Sequence, residues 1–138
     1  MERHNVDGSN RLRVLLVDDN HDNLQAMAEL LRAFGCEVEV AYNGELALPL
    51  VRSYRPDCVI FDMDMPVMDG HALAQTIRTY FSDQVLLIGM SGHTNSDPRV
   101  VAVLPLVDHW FGKPVDYARL ETELAGVMLK KSTRAAGD

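Results

Sequence analysis

Cysteine is scarce in this chain: 138 residues contain 2, Cys36 and Cys58, with no CxxC pair and no zinc-type spacing. Both read as small apolar residues near strand starts, reduced and inert. Positive charge is also in short supply, with 13 Lys and Arg against 20 Asp and Glu and a net charge of -7. That balance argues against a nucleic-acid-binding surface. No window approaches the ~18 to 20 unbroken apolar residues of a membrane span. The first residues, Met1 to Asn10, lack the apolar centre of a signal peptide. The expectation is therefore a cytoplasmic protein that meets neither membrane nor nucleic acid. Internal repeats and low-complexity linkers are missing too, and the length suits one domain with one core.

What is present is organised around Val59-Ile60-Phe61-Asp62-Met63-Asp64-Met65-Pro66-Val67-Met68-Asp69-Gly70. An apolar, partly β-branched run ends in a carboxylate, and turn residues follow it. This reads as a buried strand ending at Asp62. Open α/β sheets bind ligands at the C-terminal ends of their strands. Taken alone, Asp62 is more simply a loop cap; two other segments change that.

Leu12 to Val17 reads as a central strand buried on both faces, and it ends in Asp18-Asp19-Asn20. A helix over about 22–34 follows, with Leu24, Met27, Leu31 and Phe34 on one face and Gly35 as its stop. Glu37 to Ala41 alternates like a half-exposed edge strand. Asn43-Gly44 opens a second helix to about Tyr54, in which Pro49 should force a kink or a tighter turn at an unassisted cost of about 3 kcal/mol. Leu73, Ile77 and Phe81 mark a third helix. Val85 to Met90 is a buried strand ending in Ser91-Gly92. Ser96-Asp97-Pro98 starts a fourth helix, which Pro105 stops early. Trp110-Phe111 forms the last strand, before Gly112-Lys113-Pro114, and the final helix begins near Asp116. Residues 1–10 and 130–138 read as flexible tails around a domain over 11–129, with Lys130-Lys131 a solvated helix end. Strands alternating with helices imply right-handed crossovers and a parallel sheet covered on both faces.

All strand C-termini of a parallel sheet share one edge, so Asp18, Asp19, Asp62, Ser91 and Lys113 can converge there. Carboxylates crowded together raise one another's pKa unless a cation sits among them. Hard oxygen ligands without His or Cys point to Mg²⁺. Lys113 and the Ser91 hydroxyl could hold the remaining oxygens of an incoming phosphoryl group. Such a set suits phosphoryl transfer onto an aspartate.

Leu15-Leu16-Val17-Asp18-Asp19-Asn20, Asp62 to Gly70, Ser91-Gly92 and Lys113-Pro114 together resemble the receiver domain of bacterial two-component response regulators, a likeness running from about Arg11 to Met128. The resemblance implies a flavodoxin-like, doubly wound, five-stranded parallel sheet with strand order 2-1-3-4-5 and five helices. It implies that Asp62 accepts phosphate from a histidine kinase or a histidine phosphotransfer protein. Asp19, Asp62 and the backbone carbonyl of Asp64 would bind Mg²⁺, with Asp18 helping through water. Ser91 would be the hydroxyl switch, Lys113 the phosphate-binding lysine, and Trp110 the aromatic that moves inward on activation. Asp64 and His93 fall where the family tunes hydrolysis of the acyl phosphate. A homodimer through the face from the fourth to the fifth helix is a further partner the family allows. The implied strand order also separates the strands carrying Cys36 and Cys58, which disfavours a disulfide.

Some residues depart from the family pattern. Trp110 is bulkier than the usual Tyr or Phe, and it also fits a half-buried aromatic at a strand start. Pro105 and Leu106 replace a small, Gly-containing helix end, so a short or mobile fourth helix is expected. Asp64 and His93 are equally readable as solvated loop residues. His4, His21, His71 and His109 show no ligand spacing, and Met63, Met65 and Met68 read as packing around the loop. Two other functions compete. Haloacid-dehalogenase-type phosphatases share an Asp-x-Asp after a strand, but carry it on their first strand and usually follow it with Thr or Val, where this chain has Pro66. A degenerate receiver that only docks would not need the acidic pair, the hydroxyl and the lysine. The Asp18-Asp19-Asn20-His21-Asp22-Asn23-Leu24 run resembles hybrid-kinase receivers slightly more than transcription-factor ones. With no output segment expected after the last helix, the chain reads as a stand-alone receiver, a phosphorelay intermediate or a domain of a longer regulator.

Overall fold

A computed structural model describes residues 11–65 and 70–137. The expected tail over 1–10 and residues Pro66 to Asp69, with Met68 among them, lie outside the described residues.

The chain alternates β1 (Arg13–Val17), α1 (His21–Ala33), β2 (Glu37–Ala41), α2 (Gly44–Tyr54), β3 (Cys58–Asp62), α3 (Gly70–Phe81), β4 (Leu86–Ser91), α4 (Pro98–Val103), β5 (His109–Gly112) and α5 (Tyr117–Gly137). The sheet is five-stranded, in the order β2-β1-β3-β4-β5, with every pairing parallel. The expected flavodoxin-like topology is therefore the observed one, with five strands and five helices.

Alternate strand residues build two apolar layers, as the two-residue period of a strand requires. Val14, Leu16, Ile60, Ile88 and Phe111 pack under α1 and α5 through Leu24, Leu31, Leu120 and Leu124. Leu15, Val17, Val59, Phe61 and Leu87 pack under α2, α3 and α4 through Val51, Leu73, Ile77 and Val100. Every residue of β3 is buried, Asp62 included. Cys36 and Cys58 are buried free thiols, one in each neighbourhood expected for it; burial in apolar surroundings pushes the Cys36 thiol up to about 11, which keeps it protonated and inert.

Caps fix where the helices begin. Asn20 and Asn43 accept from Asn23 N–H and Leu46 N–H at the starts of α1 and α2, and Asp97 accepts from Arg99 N–H ahead of Pro98. Gly35 takes a φ of 106° just after α1, a conformation that suits glycine. The fourth helix is short, as Pro105 led us to expect: six residues, then a 3₁₀ turn over Leu104–Leu106. The chain stays helical through Pro49. Pro49 and Glu45, whose carbonyl loses its donor, are both exposed, so water can satisfy that carbonyl.

The far end of α5 departs from expectation. It remains helical to Gly137 instead of fraying after 129. Lys131 is not a solvated lysine either, because its Nζ donates to Arg11 O and Asp57 Oδ2, both at 2.8 Å. A cation anchored across the sheet's amino edge holds the last turns in register.

A candidate phosphoacceptor site

The site lies at the carboxyl edge of the sheet. Asp18 and Asp19 follow β1, Asp62 ends β3, Ser91 ends β4 and Lys113 follows β5. Carboxylate oxygens of Asp18, Asp19 and Asp62 all lie within 4.8 Å of one another. Lys113 Nζ stands 3.0 Å from Asp62 Oδ2, and Asp62 Oδ1 accepts the Asp64 N–H at 2.9 Å. Both Asp62 oxygens are thus oriented, although the side chain is only 6% exposed.

Asp18 is buried as well, and burial pushes its carboxyl above the ordinary carboxylate value. A hydrogen bond from Asn20 N–H opposes the shift, whereas the neighbouring Asp62 charge adds to it. Among the described residues Lys113 is the one ammonium paired with this cluster of three carboxylates, so the pocket is short of positive charge. Three convergent oxygen donors, no imidazole or thiolate among them, and a charge deficit are what Mg²⁺ requires of a site. The residues fit that ion.

The other expected residues sit nearby in a specific arrangement. Ser91 Oγ is fully buried and donates towards Asp64, 3.2 Å from Oδ1 and 3.3 Å from Oδ2. Gly92 N–H donates to Asp64 Oδ2 at 3.1 Å, and His93 N–H donates to Ser91 Oγ at 3.0 Å. His93 Nε2 lies 3.7 Å from Asp64 Oδ1. Arg99 Nη2 approaches His93 Nδ1 at 3.1 Å. The His93 ring thus lies between Arg99 and Asp97 on its Nδ1 side and Asp64 on its Nε2 side. The position of Asp64 is supported from beneath, since the start of α3 is tightly packed on its loop: a Cβ at Gly70 would fall 2.6 Å from Met63 Cα. Met63 and Met65 are buried, as expected of packing residues.

Trp110 is half-buried against the apolar layer under α3 and α4, and among the described residues its buried indole N–H has no partner. Of the remaining histidines, His21 stacks on Tyr42 and His109 pairs with Glu123 at 3.1 Å. His71 borders a groove of about 500 Å³ with Asp64 and Arg99. A second recess, of about 230 Å³, opens beside Asp18 and Lys113 and is walled by Asn23, Met27 and Pro114.

Sequence reasoning missed the roles of Gly92 N–H, Asp97 and Arg99. The last two lie close to His93 in sequence, Asp97 four residues on in the loop before α4 (3.6 Å from Asp97 Oδ2 to His93 Nδ1) and Arg99 two further. The Gly92 contact carried no local signal.

A doubly wound parallel sheet with acidic side chains and a lysine gathered at its carboxyl edge defines an open α/β protein with a candidate ligand site at that edge. The profile of the response regulator receiver domain matches residues 14–125. The chain belongs to that family, whose members are signalling domains of two-component systems rather than conventional enzymes. The transcriptional regulatory protein PrrA of Mycobacterium tuberculosis is 31% identical over 123 residues, which cover 89% of this chain and 52% of PrrA. The sensor histidine kinase GacS of Pseudomonas protegens is 31% identical over 122 residues, covering 86% of this chain and 13% of GacS. The chemotaxis protein CheY4 of Vibrio cholerae has a structure similar to this one at a TM-score of 0.76 and 28% identity, over 85% of this chain and 98% of CheY4. The chain spans about half the length of the first of these relatives. No helix among the described residues is long and apolar enough to cross a membrane.

Proposed function

We propose that this receiver accepts a phosphoryl group on Asp62 from the phosphohistidine of a histidine kinase or a histidine phosphotransfer protein, and that Asp18, Asp19, Asp62 and the Asp64 carbonyl hold Mg²⁺ for the transfer. The observation that carries the proposal is the setting of Asp62: buried, oriented through both oxygens, and joined by Lys113 within a cluster short of positive charge. In the transfer an Asp62 oxygen attacks phosphorus. The P–N bond to the donor imidazole breaks as the P–O bond forms, and the imidazole leaves with the electron pair. When bound, Mg²⁺ would offset the charge of the phosphoryl oxygens. Lys113 neutralises a further part of that charge, and the Asp64 N–H keeps the acceptor carboxylate from rotating away. The recess beside Asp18 and Lys113 leaves an approach for the donor side chain.

The acyl phosphate then recruits Ser91 and favours an inward position of Trp110, shifting the face formed by α4, β5 and α5. That face supports partner binding or a homodimer. The domain begins near residue 11 and includes the α5 turn that carries Lys131, and it works alone, within a phosphorelay or as part of a longer regulator or hybrid kinase. Asp64 and His93 at the rim set the lifetime of the phosphoryl group. Their double replacement by Ala is expected to change that lifetime severalfold.

Incubation with radiolabelled acetyl phosphate and Mg²⁺ tests the reading. The expected result is one acid-stable, base-labile label per chain, absent from Asp62→Asn and from samples treated with EDTA. A wild type that takes up no label, or that turns over p-nitrophenyl phosphate repeatedly, would overturn it. The second outcome would restore the phosphatase alternative.

A further inference from the structure

We infer that the Asp64 carboxylate is an internal stand-in for a phosphoryl group, a positioning residue that occupies the donors of the β4 tip until phosphorylation displaces it. The inference rests on the proposed role of Asp62 and concerns how that site is held ready. Two donors converge on the Asp64 carboxylate, Ser91 Oγ–H and Gly92 N–H, with the His93 ring 3.7 Å away. Ser91 and Gly92 lie at the sheet edge that also presents Asp62 and Lys113, β4 being paired directly with β3. Asp64 is itself tethered to Asp62 through its N–H. A carboxylate with two donors on its oxygens presents the same chemistry as two oxygens of a phosphoryl group.

Proton counting makes the two occupants exclusive. A serine hydroxyl has one proton to donate, and Ser91 directs it at Asp64, while its lone pair accepts His93 N–H. A phosphoryl oxygen can gain that proton only if Asp64 gives it up. The released carboxylate then has the His93 ring beside it, 3.7 Å away. Asp64 therefore works against the phosphorylated state by competing for Ser91 and Gly92. Its removal favours that state.

Isothermal titration with beryllofluoride at saturating Mg²⁺ reads the competition. Asp64→Ala is expected to bind the phosphoryl analogue about tenfold more tightly than the wild type, the scale of a hydrogen bond to a charged group. Asp64→Asn, which keeps an acceptor oxygen but loses the charge, should show a smaller gain. In a Ser91→Ala background the gain from Asp64→Ala should shrink to about threefold or less, because the contested donor is gone. Independently, the Gly92 amide proton of the unliganded protein should move upfield in Asp64→Ala. An Asp64→Ala variant that binds the analogue no more tightly than wild type would overturn the inference. So would a gain of equal size with and without Ser91, which simple charge repulsion predicts, or a Gly92 amide that does not move. A wild type that binds no beryllofluoride would remove the reading of Asp62 and this inference with it.

Discussion

The two edges of the sheet carry similar residues and treat them differently. At the amino edge two aspartates, Asp57 and Asp108, each have a cation and an N–H. Asp57 accepts Arg13 N–H and the Lys131 ammonium, both at 2.8 Å. Asp108 accepts Leu87 N–H and Arg78 Nη2, both at 2.8 Å. At the carboxyl edge Asp18, Asp19 and Asp62 share Lys113, and Asp18 is pushed towards its protonated form. The same residue type is a fastener where its charge is matched and a reagent where it is not. Crowded, undermatched carboxylates destabilise the empty site, and a ligand that relieves the crowding gains from it.

The largest effect should come from breaking a matched pair. Asp57→Ala strands the Arg13 N–H and the Lys131 ammonium in part-buried surroundings, at an expected cost of about 3 kcal/mol. At roughly 3 °C per kcal/mol for a chain of this size, the melting temperature should fall by about 9 °C. The same lesion should release the end of α5 and raise amide exchange there. If the melt is unchanged, the amino edge is not the fastener described.

Arg78 is the next test. It reaches Leu106 O, Ser82 O and Val85 O as well as Asp108, so a single guanidinium ties α3 to the turn after the shortened α4 and to the entry of β4. Arg78→Ala should cost about 2 kcal/mol by orphaning those carbonyls. Arg78→Lys should recover little, because an ammonium lacks the fork that serves several acceptors at once. Full recovery in the lysine variant would mean that charge alone matters.

These contacts also show what the sequence could and could not convey. β1, β3 and β4 were readable as apolar runs and β2 as a polar–apolar alternation, and the strand order followed from the likeness of the four site segments to the receiver family. The short α4 followed from Pro105, and the starts of α2 and α4 from Asn43 and Asp97-Pro98. Each of these is a local signal. Lys131 was misread because its partner, Asp57, lies 74 positions away and is brought near only when α5 crosses the amino edge. Asp64 was readable as a rim residue, yet its hold on Ser91 spans 27 positions and depends on β3 and β4 pairing in register. Pairings between distant strand tips leave no periodicity behind them.

At the carboxyl edge a substitution should change sign with the metal. Without Mg²⁺, Asp18→Asn removes one of three crowded charges while keeping an acceptor for Asn20 N–H, and should stabilise the fold by up to about 1 kcal/mol. With Mg²⁺ at a hundred times its dissociation constant, the wild type should gain about 2.7 kcal/mol by linkage. Asp18→Asn should gain less, because the site has lost a donor that helps hold the ion. Melts with EDTA and with Mg²⁺ decide it. The same sign in both conditions would show that the crowding does not serve the metal.

The smallest effect belongs to Asp97, which is well partnered at the rim of the same edge. Arg99 supplies both a side-chain and a backbone hydrogen bond to its carboxylate, and these hold the carboxyl down at about 2 against an ordinary 3.8. Because the folded value is depressed, the charged form is favoured by folding above the ordinary range, and that contribution is lost as pH falls through 3.8 towards 2. The Arg99 head is 68% exposed, so solvent screens the pair and the melting temperature near neutrality should not respond to Arg99→Ala beyond experimental scatter. A carbon-detected NMR titration of the Asp97 carboxyl should respond clearly. Its midpoint should rise most of the way to the ordinary value in Arg99→Ala, held back by the backbone N–H that remains. An unmoved midpoint would mean that the helix start, not the guanidinium, sets the charge of this aspartate. A partnered charge in solvent would then tell as little about stability as the amino-edge pairs tell about function.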